Sequence, residues 1–201
     1  MSENEYYSTL SQQSVAEFKD RGSRFLAYAY PIQSAAGFKD KLALLKKEHP
    51  KAVHHCFAYR LGLDGTDFRV SDDGEPSGTA GRPILGQIDS KGLTNVLVVV
   101  VRYFGGTLLG VPGLINAYKT ATAMSLQLVP VVTKPVTVKL LVTFDYTQMN
   151  EVMRWVKAFN CEIIEQEMQL FCSMKIETPK KRLDELTQML LHIRGVEVKK
   201  C

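Results

Sequence analysis

The clearest alternation of apolar and polar residues lies in the last third of the chain. Every second residue is apolar along residues 136–144, which predicts a strand with one buried face. The apolar positions of residues 149–159 follow helical spacing, and residues 161–165 and 168–177 fit the two arms of a hairpin. The segment therefore begins with a strand, a helix and a hairpin.

A second helix and a last strand complete this pattern. Thr178-Pro179 fits a helix start, since a hydroxyl side chain caps a helix and proline is favoured at its first position. Gly195 fits the stop of that helix, and residues 196–200 form a last strand. The order βαββαβ predicts a ferredoxin-like domain.

The predicted hairpin carries two of the four cysteines. A turn at Gln166-Glu167 sets Cys161 opposite Cys172, where we expect reduced core thiols rather than a disulfide. Phe171 is the one aromatic residue on the open face of the second arm. One aromatic is too few for the base-stacking face of an RNA recognition motif.

The first two thirds of the chain mix strands and helices less regularly. Two short strands surround Arg21-Gly22-Ser23, and Ser34 caps a helix that runs to about Glu48. Further strands fit residues 53–60 and 68–71, and residues 84–88 form a short amphipathic segment. The uniformly aliphatic residues 96–104 predict a strand covered on both sides, with a long helix after it. The fold class is α+β.

A domain boundary is expected at residues 129–135, where two prolines bracket a short aliphatic stretch. We therefore predict one domain over residues 1–134 and a second over residues 135–201.

Composition and charge limit the classes of protein to which this chain can belong. The 201 residues are 45% hydrophobic and 23% charged, as in ordinary globular proteins, and the net charge of +4 is compatible with RNA without being diagnostic. The longest aliphatic run, residues 96–101, is far shorter than the ~18 residues that span a bilayer, and the N-terminal residues lack a signal-peptide pattern. We expect a cytoplasmic protein without membrane contact.

Two polar, glycine-rich loops are candidates for chemistry. Residues 105–113 link a buried strand to a helix, and such a loop either holds an anion on its backbone N–H groups or is simply a tight connection. Residues 71–79 include Asp72, Asp73 and Glu75, which suit either a hard cation or the turns that aspartate favours. The spacing matches neither a Walker loop nor a calcium loop, and no metal or cofactor is predicted.

His54 and His55 begin a predicted strand and so point to opposite faces. They cannot chelate one ion together. We expect His55 to be partly buried and His54 to border a cleft with Cys56 and Arg60.

Four arginines stand at strand ends or beside glycine loops. If they converge with nearby aromatic residues, they form an RNA-binding surface, because guanidinium groups grip phosphates and stack on bases. The alternative is that they are scattered and pair with the nearby Asp64, Asp67, Asp72 and Asp73. The arginines are Arg60, Arg69, Arg82 and Arg102.

Three blocks of the sequence, at residues 54–62, 69–85 and 98–121, resemble the signature of the Impact family in its bacterial YigZ-like branch. The resemblance implies a first domain similar to the second domain of a small-subunit ribosomal protein and a ferredoxin-like domain after it. Across both domains the family is also similar to the terminal domains of elongation factor G. The candidate ligand-binding residues, from the matching motifs and the arginines above, are His54, His55, Arg60, Arg69, Ser71, Asp72, Asp73, Glu75, Thr79, Arg82, Arg102, Tyr103, Gly105, Gly106, Gly110 and Lys119.

The resemblance implies a binding protein linked to translation rather than a defined enzyme, with RNA or the ribosome as partner. Eukaryotic relatives regulate translation by competing for an activator of a stress-responsive kinase, so a pure protein-interaction module is an alternative. Another alternative is a hydrolase for a phosphorylated or peptide substrate, with His54 or His55 as base and an acidic residue of the 71–79 loop as its partner.

Overall fold

The computed structural model describes residues 5–63 and 66–201, so Asp64 lies outside the described residues. The chain forms two compact units. The larger unit contains residues 7–134, and the smaller one contains residues 135–201 together with Glu5 and Tyr6. Within the described ranges, no helix is both long enough and apolar enough to cross a membrane.

The larger unit is built on a five-stranded antiparallel sheet in the order β2-β3-β6-β4-β5. Its strands are β2 (Ser14–Asp20), β3 (Ser23–Pro31), β4 (His54–Leu61), β5 (Asp67–Ser71) and β6 (Val96–Tyr103). The central strand β6 is buried on both faces along residues 96–101, as its aliphatic sequence predicts.

Helices cover both faces of this sheet. α1 (Ala35–Glu48) packs Phe38 and Leu45 onto the alternate β4 and β6 residues of one face. The Ser34 hydroxyl caps this helix by accepting from the Gly37 N–H at 3.3 Å. α2 (Gly81–Ser90) and α3 (Gly110–Gln127) cover the opposite face, where the larger core of the unit lies.

A separate two-stranded sheet joins β1 (Tyr6–Leu10) to β7 (Val131–Pro135). The sequence pattern did not predict these strands. The two strands lie more than a hundred residues apart in the sequence, and neither short segment shows a long alternation of apolar and polar residues.

The smaller unit has the predicted βαββαβ order. Its elements are β8 (Thr137–Asp145), α4 (Met149–Ala158), β9 (Glu162–Glu167), β10 (Phe171–Pro179), α5 (Leu183–Leu191) and β11 (Glu197–Lys200). The sheet order β11-β8-β10-β9 is antiparallel throughout, and α4 and α5 pack on one face. This is the ferredoxin-like arrangement.

The hairpin turn of this unit corrects one expectation. Ser173 pairs with Glu167, so the loop falls at residues 168–170 and Cys161 does not lie opposite Cys172. Cys172 instead pairs with Phe144 of β8. The Tyr146 N–H donates to the Leu170 carbonyl at 3.2 Å, which fixes the later turn.

The start of α5 also differs from the prediction made from the sequence. Thr178 stays in β10, fully buried and paired with Val138, and does not cap the helix. A single 3-10 turn at Lys180–Arg182 separates the strand from α5. The strand pairing therefore overrides the local Thr-Pro preference for a helix start.

Candidate functional site

One edge of the larger sheet gathers three segments that are distant in sequence. His54 and Arg102 are paired residues on the antiparallel strands β4 and β6, so the start of β4 and the end of β6 lie together. The loop after β5 adds Glu75 beside them. Between these segments and the start of α3 lies an open cavity of about 450 Å³, here called the Glu75 pocket. Its lining is Val53, His54, Glu75, Pro76, Arg102, Phe104, Leu108, Leu109, Gly110, Val111 and Leu114.

The floor of the Glu75 pocket is an ion pair. Arg102 Nη1 donates to Glu75 Oε1 at 2.5 Å, and the Tyr118 hydroxyl donates to the same oxygen at 2.8 Å. Arg102 is 5% exposed and Glu75 is 8% exposed. Because the charges are buried together, each one compensates the cost of removing the other from water.

Two aromatic rings lie beside the Arg102 guanidinium. Its carbon lies 5.4 Å from the centroid of the Phe25 ring and 5.7 Å from that of Phe104. Nη2 lies 3.5 Å from the Ser23 hydroxyl oxygen. The arginine is thus fixed in place and is not a mobile cation at the surface.

His54 has a defined hydrogen-bonding direction. Its Nδ1 lies 2.7 Å from the carbonyl oxygen of Asp73, which can only accept, so Nδ1 carries a proton. In the neutral ring Nε2 is therefore an acceptor, and it lies 3.8 Å from Glu75 Oε1. The histidine presents an acceptor beside the buried carboxylate.

Asp72 organises the loop that carries Glu75. Its carboxylate accepts backbone N–H groups of Gly78 at 2.9 Å, Ala80 at 3.0 Å and Gly81 at 2.8 Å. Partial burial acts to raise the pKa of Asp72, but these three N–H donors outweigh it and hold the pKa below its usual value. Asp72 is therefore an ionised anchor for the loop and for the start of α2.

Asp73 fixes the loop against β4. Its carboxylate accepts the His55 N–H at 2.6 Å, and Lys46 Nζ lies 3.9 Å from its other oxygen. The Asp73 N–H donates to the Ser71 hydroxyl oxygen at 3.2 Å. In the described ranges no three His, Cys, Asp or Glu side chains stand together as a metal site would require.

His55 points into the core on the α1 face, as the strand alternation predicts, and is 7% exposed. Burial lowers its pKa below the usual value, although the Asp73 carboxylate partly opposes the shift. Thr79 is also buried, with its hydroxyl donating to the Pro76 carbonyl at 2.7 Å. Neither side chain lines the Glu75 pocket.

The four arginines do not converge, which corrects that expectation. Arg60 lies near the other end of β4, where its Nε donates to Asp89 at 2.6 Å. Arg69 and Arg82 are exposed on β5 and α2. Strand β4 carries His54 and Arg60 six positions apart, so the pairing that brings Arg102 to His54 places Arg60 away from both.

The loop at residues 105–113 makes a close backbone contact at its first residue, Gly105. Gly105 lies against Gly22, so closely that an added Cβ would stand 1.9 Å from the Gly22 carbonyl carbon. The Gly105 N–H donates to the Ser23 hydroxyl oxygen at 3.2 Å. Gly106 and Gly110 both have positive φ, of 86° and 69°, and Gly110 lines the pocket where α3 begins.

Two further candidates lie outside the pocket. The Tyr103 hydroxyl lies 2.9 Å from His49 Nδ1, and His49 Nε2 lies 2.8 Å from the Tyr28 hydroxyl. Lys119 is exposed on α3. Neither Tyr103 nor Lys119 lines the Glu75 pocket.

Sequence reasoning missed Tyr118 and the apolar rim. Tyr118 follows the helical spacing of the α3 core, so nothing in the pattern indicates that its hydroxyl reaches Glu75. The rim includes Leu108, 82% exposed, and Phe104, 47% exposed. Residues 105–113 include Leu108, Leu109 and Val111, but nothing in the sequence pattern indicates that Leu108 lies exposed at the rim of a pocket and not in the core.

Comparison with known proteins gives consistent matches over the chain. The family model described as "Impact N-terminal domain" matches residues 21–126. The IMPACT family member of Haemophilus influenzae is 34% identical over 181 residues, covering 88% of this chain and 86% of that protein. IMPACT family member YigZ of Escherichia coli is 32% identical over 174 residues, covering 86% and 84%.

A solved structure described as that of a hypothetical protein has a similar fold. It aligns over 96% of both chains with a TM-score of 0.78 and 28% identity. The two-unit α+β architecture is therefore shared over nearly the whole chain.

Proposed function

This chain belongs to the Impact family, and from that premise we propose that it is a cytoplasmic, translation-associated protein whose larger unit binds RNA, free or within the ribosome. The observation that carries the proposal is the meeting of three distant motif segments, at His54, Glu75 and Arg102, in one open pocket. A gathering of polar loops in a cavity at one sheet edge is typical of a binding site.

The charge of the larger unit supports a polyanionic partner. Residues 7–134 include 15 Lys and Arg against 10 Asp and Glu, a net of +5. Two exposed cations lie close to the pocket. Lys51 is two residues before the pocket residue Val53 in the sequence, and Arg21 is next to Gly22, whose backbone contacts Gly105. The resemblance of this unit to a ribosomal-protein domain supports the same partner.

Co-sedimentation with ribosomes, and binding to structured ribosomal RNA across a salt series, test the proposal. We expect affinity to fall steeply as salt rises, because each neutralised phosphate releases counterions. Leu108→Asp adds a negative charge at the pocket rim and should weaken binding roughly fivefold or more. Leu108 is 82% exposed, so this variant should still fold.

The matched control is Leu44→Asp on α1, at a 45% exposed leucine on the opposite face of the sheet. It adds the same charge to the same unit and should leave binding nearly unchanged. Binding that ignores salt, absence of binding, or an equal loss in both variants counts against an RNA contact at this pocket.

A protein partner is the second candidate, and the exposed apolar rim favours it. Val53, Phe104, Leu108 and Val111 are each between 47% and 82% exposed around one cavity. Such patches mark protein interfaces as well as ligand grooves. Pull-down of the tagged chain after nuclease treatment distinguishes the two, since a direct protein partner survives the loss of RNA.

A further inference from the structure

The floor of the Glu75 pocket carries no net charge, although RNA is a polyanion. The Arg102 guanidinium is paired with the Glu75 carboxylate at 2.5 Å and is nearly buried. A phosphate entering this pocket would approach that carboxylate without gaining a free cation. The pocket therefore does not suit a phosphate group, and some other part of the RNA must fill it.

The walls of the pocket suit a flat, apolar group. Leu108, Leu109, Val111 and Leu114 form one side at the start of α3, and Phe104 is 47% exposed on the rim. An exposed aromatic ring beside a cavity offers a stacking surface for an unpaired base. The volume of about 450 Å³ lies in the range of small-molecule sites.

Arg102 and Glu75 in the polar lining of the pocket are paired with each other, so the acceptor that this lining offers to a ligand is on His54. His54 Nδ1 is committed to the Asp73 carbonyl, which leaves Nε2 of the neutral ring as an acceptor. Glu75 Oε1 lies 3.8 Å from Nε2, but it already accepts from Arg102 and Tyr118, and the Glu75 side chain is 3% exposed. The His54 acceptor pairs with an N–H donor, such as the exocyclic amino group of a base.

We propose that the Glu75 pocket receives one unstacked nucleobase of a single-stranded RNA segment, with Phe104 stacking on the base and His54 Nε2 accepting from its amino group. Bases that carry an amino group are preferred over uracil, which presents carbonyl oxygens on the corresponding edge. The proposal rests on the proposed function, because it specifies how RNA enters the same site. Phosphates stay outside the pocket, near cations such as Arg21 and Lys51.

Fluorescence anisotropy with short labelled RNAs tests this at fixed salt and neutral or slightly alkaline pH. The probes are oligo(A), oligo(C), oligo(U) and an oligo(A) that contains abasic positions. Oligo(A) and oligo(C) should bind roughly tenfold more tightly than oligo(U) and the abasic probe. Because base contacts release no counterions, the salt slopes of all four probes should be similar.

Variants of the stacking residue locate the effect. Phe104→Ala should lose about tenfold in affinity for oligo(A) and almost nothing for the abasic probe, while Phe104→Trp keeps the preference. The matched control is Phe68→Ala, since Phe68 is 52% exposed in the same unit and also lies beside an arginine, Arg60, at 5.3 Å. Thermal unfolding monitored by circular dichroism checks that each variant folds.

The outcomes separate this proposal from the proposed function. RNA can bind with a steep salt dependence while the abasic probe binds as tightly as oligo(A) and Phe104→Ala binds as tightly as wild type. In that case base insertion is wrong and RNA binding stands. If no RNA binds, both are wrong. If Phe104→Ala instead abolishes a nuclease-resistant protein interaction and leaves RNA binding intact, the pocket belongs to a protein partner and base insertion is overturned.

Discussion

Arg102 and Glu75 meet at 2.5 Å with less than a tenth of either residue exposed. The two residues come from the end of β6 and from the loop after β5, and Tyr118 of α3 donates to the same carboxylate oxygen. One ion pair therefore ties a strand, a loop and a helix together under the pocket. The loss of one partner would leave the other charge buried and unpaired.

Replacement of one partner should therefore destabilise the protein strongly. We expect Glu75→Ala to lower the free energy of unfolding by about 3–5 kcal/mol, measured by urea denaturation. The double variant Glu75→Leu with Arg102→Met removes both charges and should lose less than Glu75→Ala alone. A double variant whose loss equals the sum of two large single losses would contradict this account of the pair.

The contact between Gly22 and Gly105 should tolerate no side chain. Gly105→Ala places a Cβ 1.9 Å from the Gly22 carbonyl carbon and 2.2 Å from the Ser23 nitrogen. Because backbone must move, we expect a loss of about 3 kcal/mol or more in unfolding free energy.

Gly86→Ala is the matched control for this variant. Gly86 lies inside α2, and nothing stands within 4 Å of an added Cβ. The alanine should stabilise the protein by about 0.5–1 kcal/mol, because it reduces the freedom of the unfolded chain and favours the helix. Similar effects of the two alanines would show that the backbone contact does not constrain position 105.

Acid should destabilise the larger unit through His55. Burial lowers the pKa of His55 in the folded state, so the unfolded chain takes up a proton first as pH falls below 6.5. The contribution of His55 to stability is thus complete above that pH and declines toward the lower folded-state pKa. Urea denaturation on both sides of pH 6.5 measures the decline, which should be smaller in His55→Gln.

Gly86→Ala also serves as the control for this pH dependence, because it neither adds nor removes a titrating group. It should change the free energy of unfolding by the same amount on both sides of pH 6.5. A profile unchanged by His55→Gln would remove His55 as its cause.

The cysteines should react in the order of their exposure. Cys201 is exposed, whereas Cys56 and Cys172 are buried, and burial raises the pKa of the Cys56 thiol. An aromatic disulfide reagent should modify Cys201 quickly and the two buried thiols only as the protein unfolds. The half-buried Cys161 should react at an intermediate rate. Cys201→Ser should remove the fast phase, and an unchanged fast phase would show that another thiol lies at the surface.

Most elements could be predicted because their patterns are local. The alternation along β8 and the aliphatic run of β6 each define a strand without reference to the rest of the chain. The strands β1 and β7 were missed because pairing across the length of the larger unit, and not local sequence, makes them strands.

The site was predictable only in part. The alternation of β4 correctly separates His54 from His55, but it cannot say which end of β4 meets Arg102. Because of that register, Arg60 lies away from both His54 and Arg102. The burial of Glu75 and the reach of Tyr118 to it depend on tertiary packing, which charge and spacing do not reveal.

The smaller unit includes residues from both ends of the sequence. The Val136 N–H donates to the Glu5 carbonyl at 2.8 Å, and the Lys180 N–H donates to the Val136 carbonyl at 2.7 Å. During synthesis, Glu5 leaves the exit tunnel long before Val136 and Lys180 exist. The larger unit can therefore fold before the Glu5 segment finds its partners, and the smaller unit closes only after Lys180 has been synthesised.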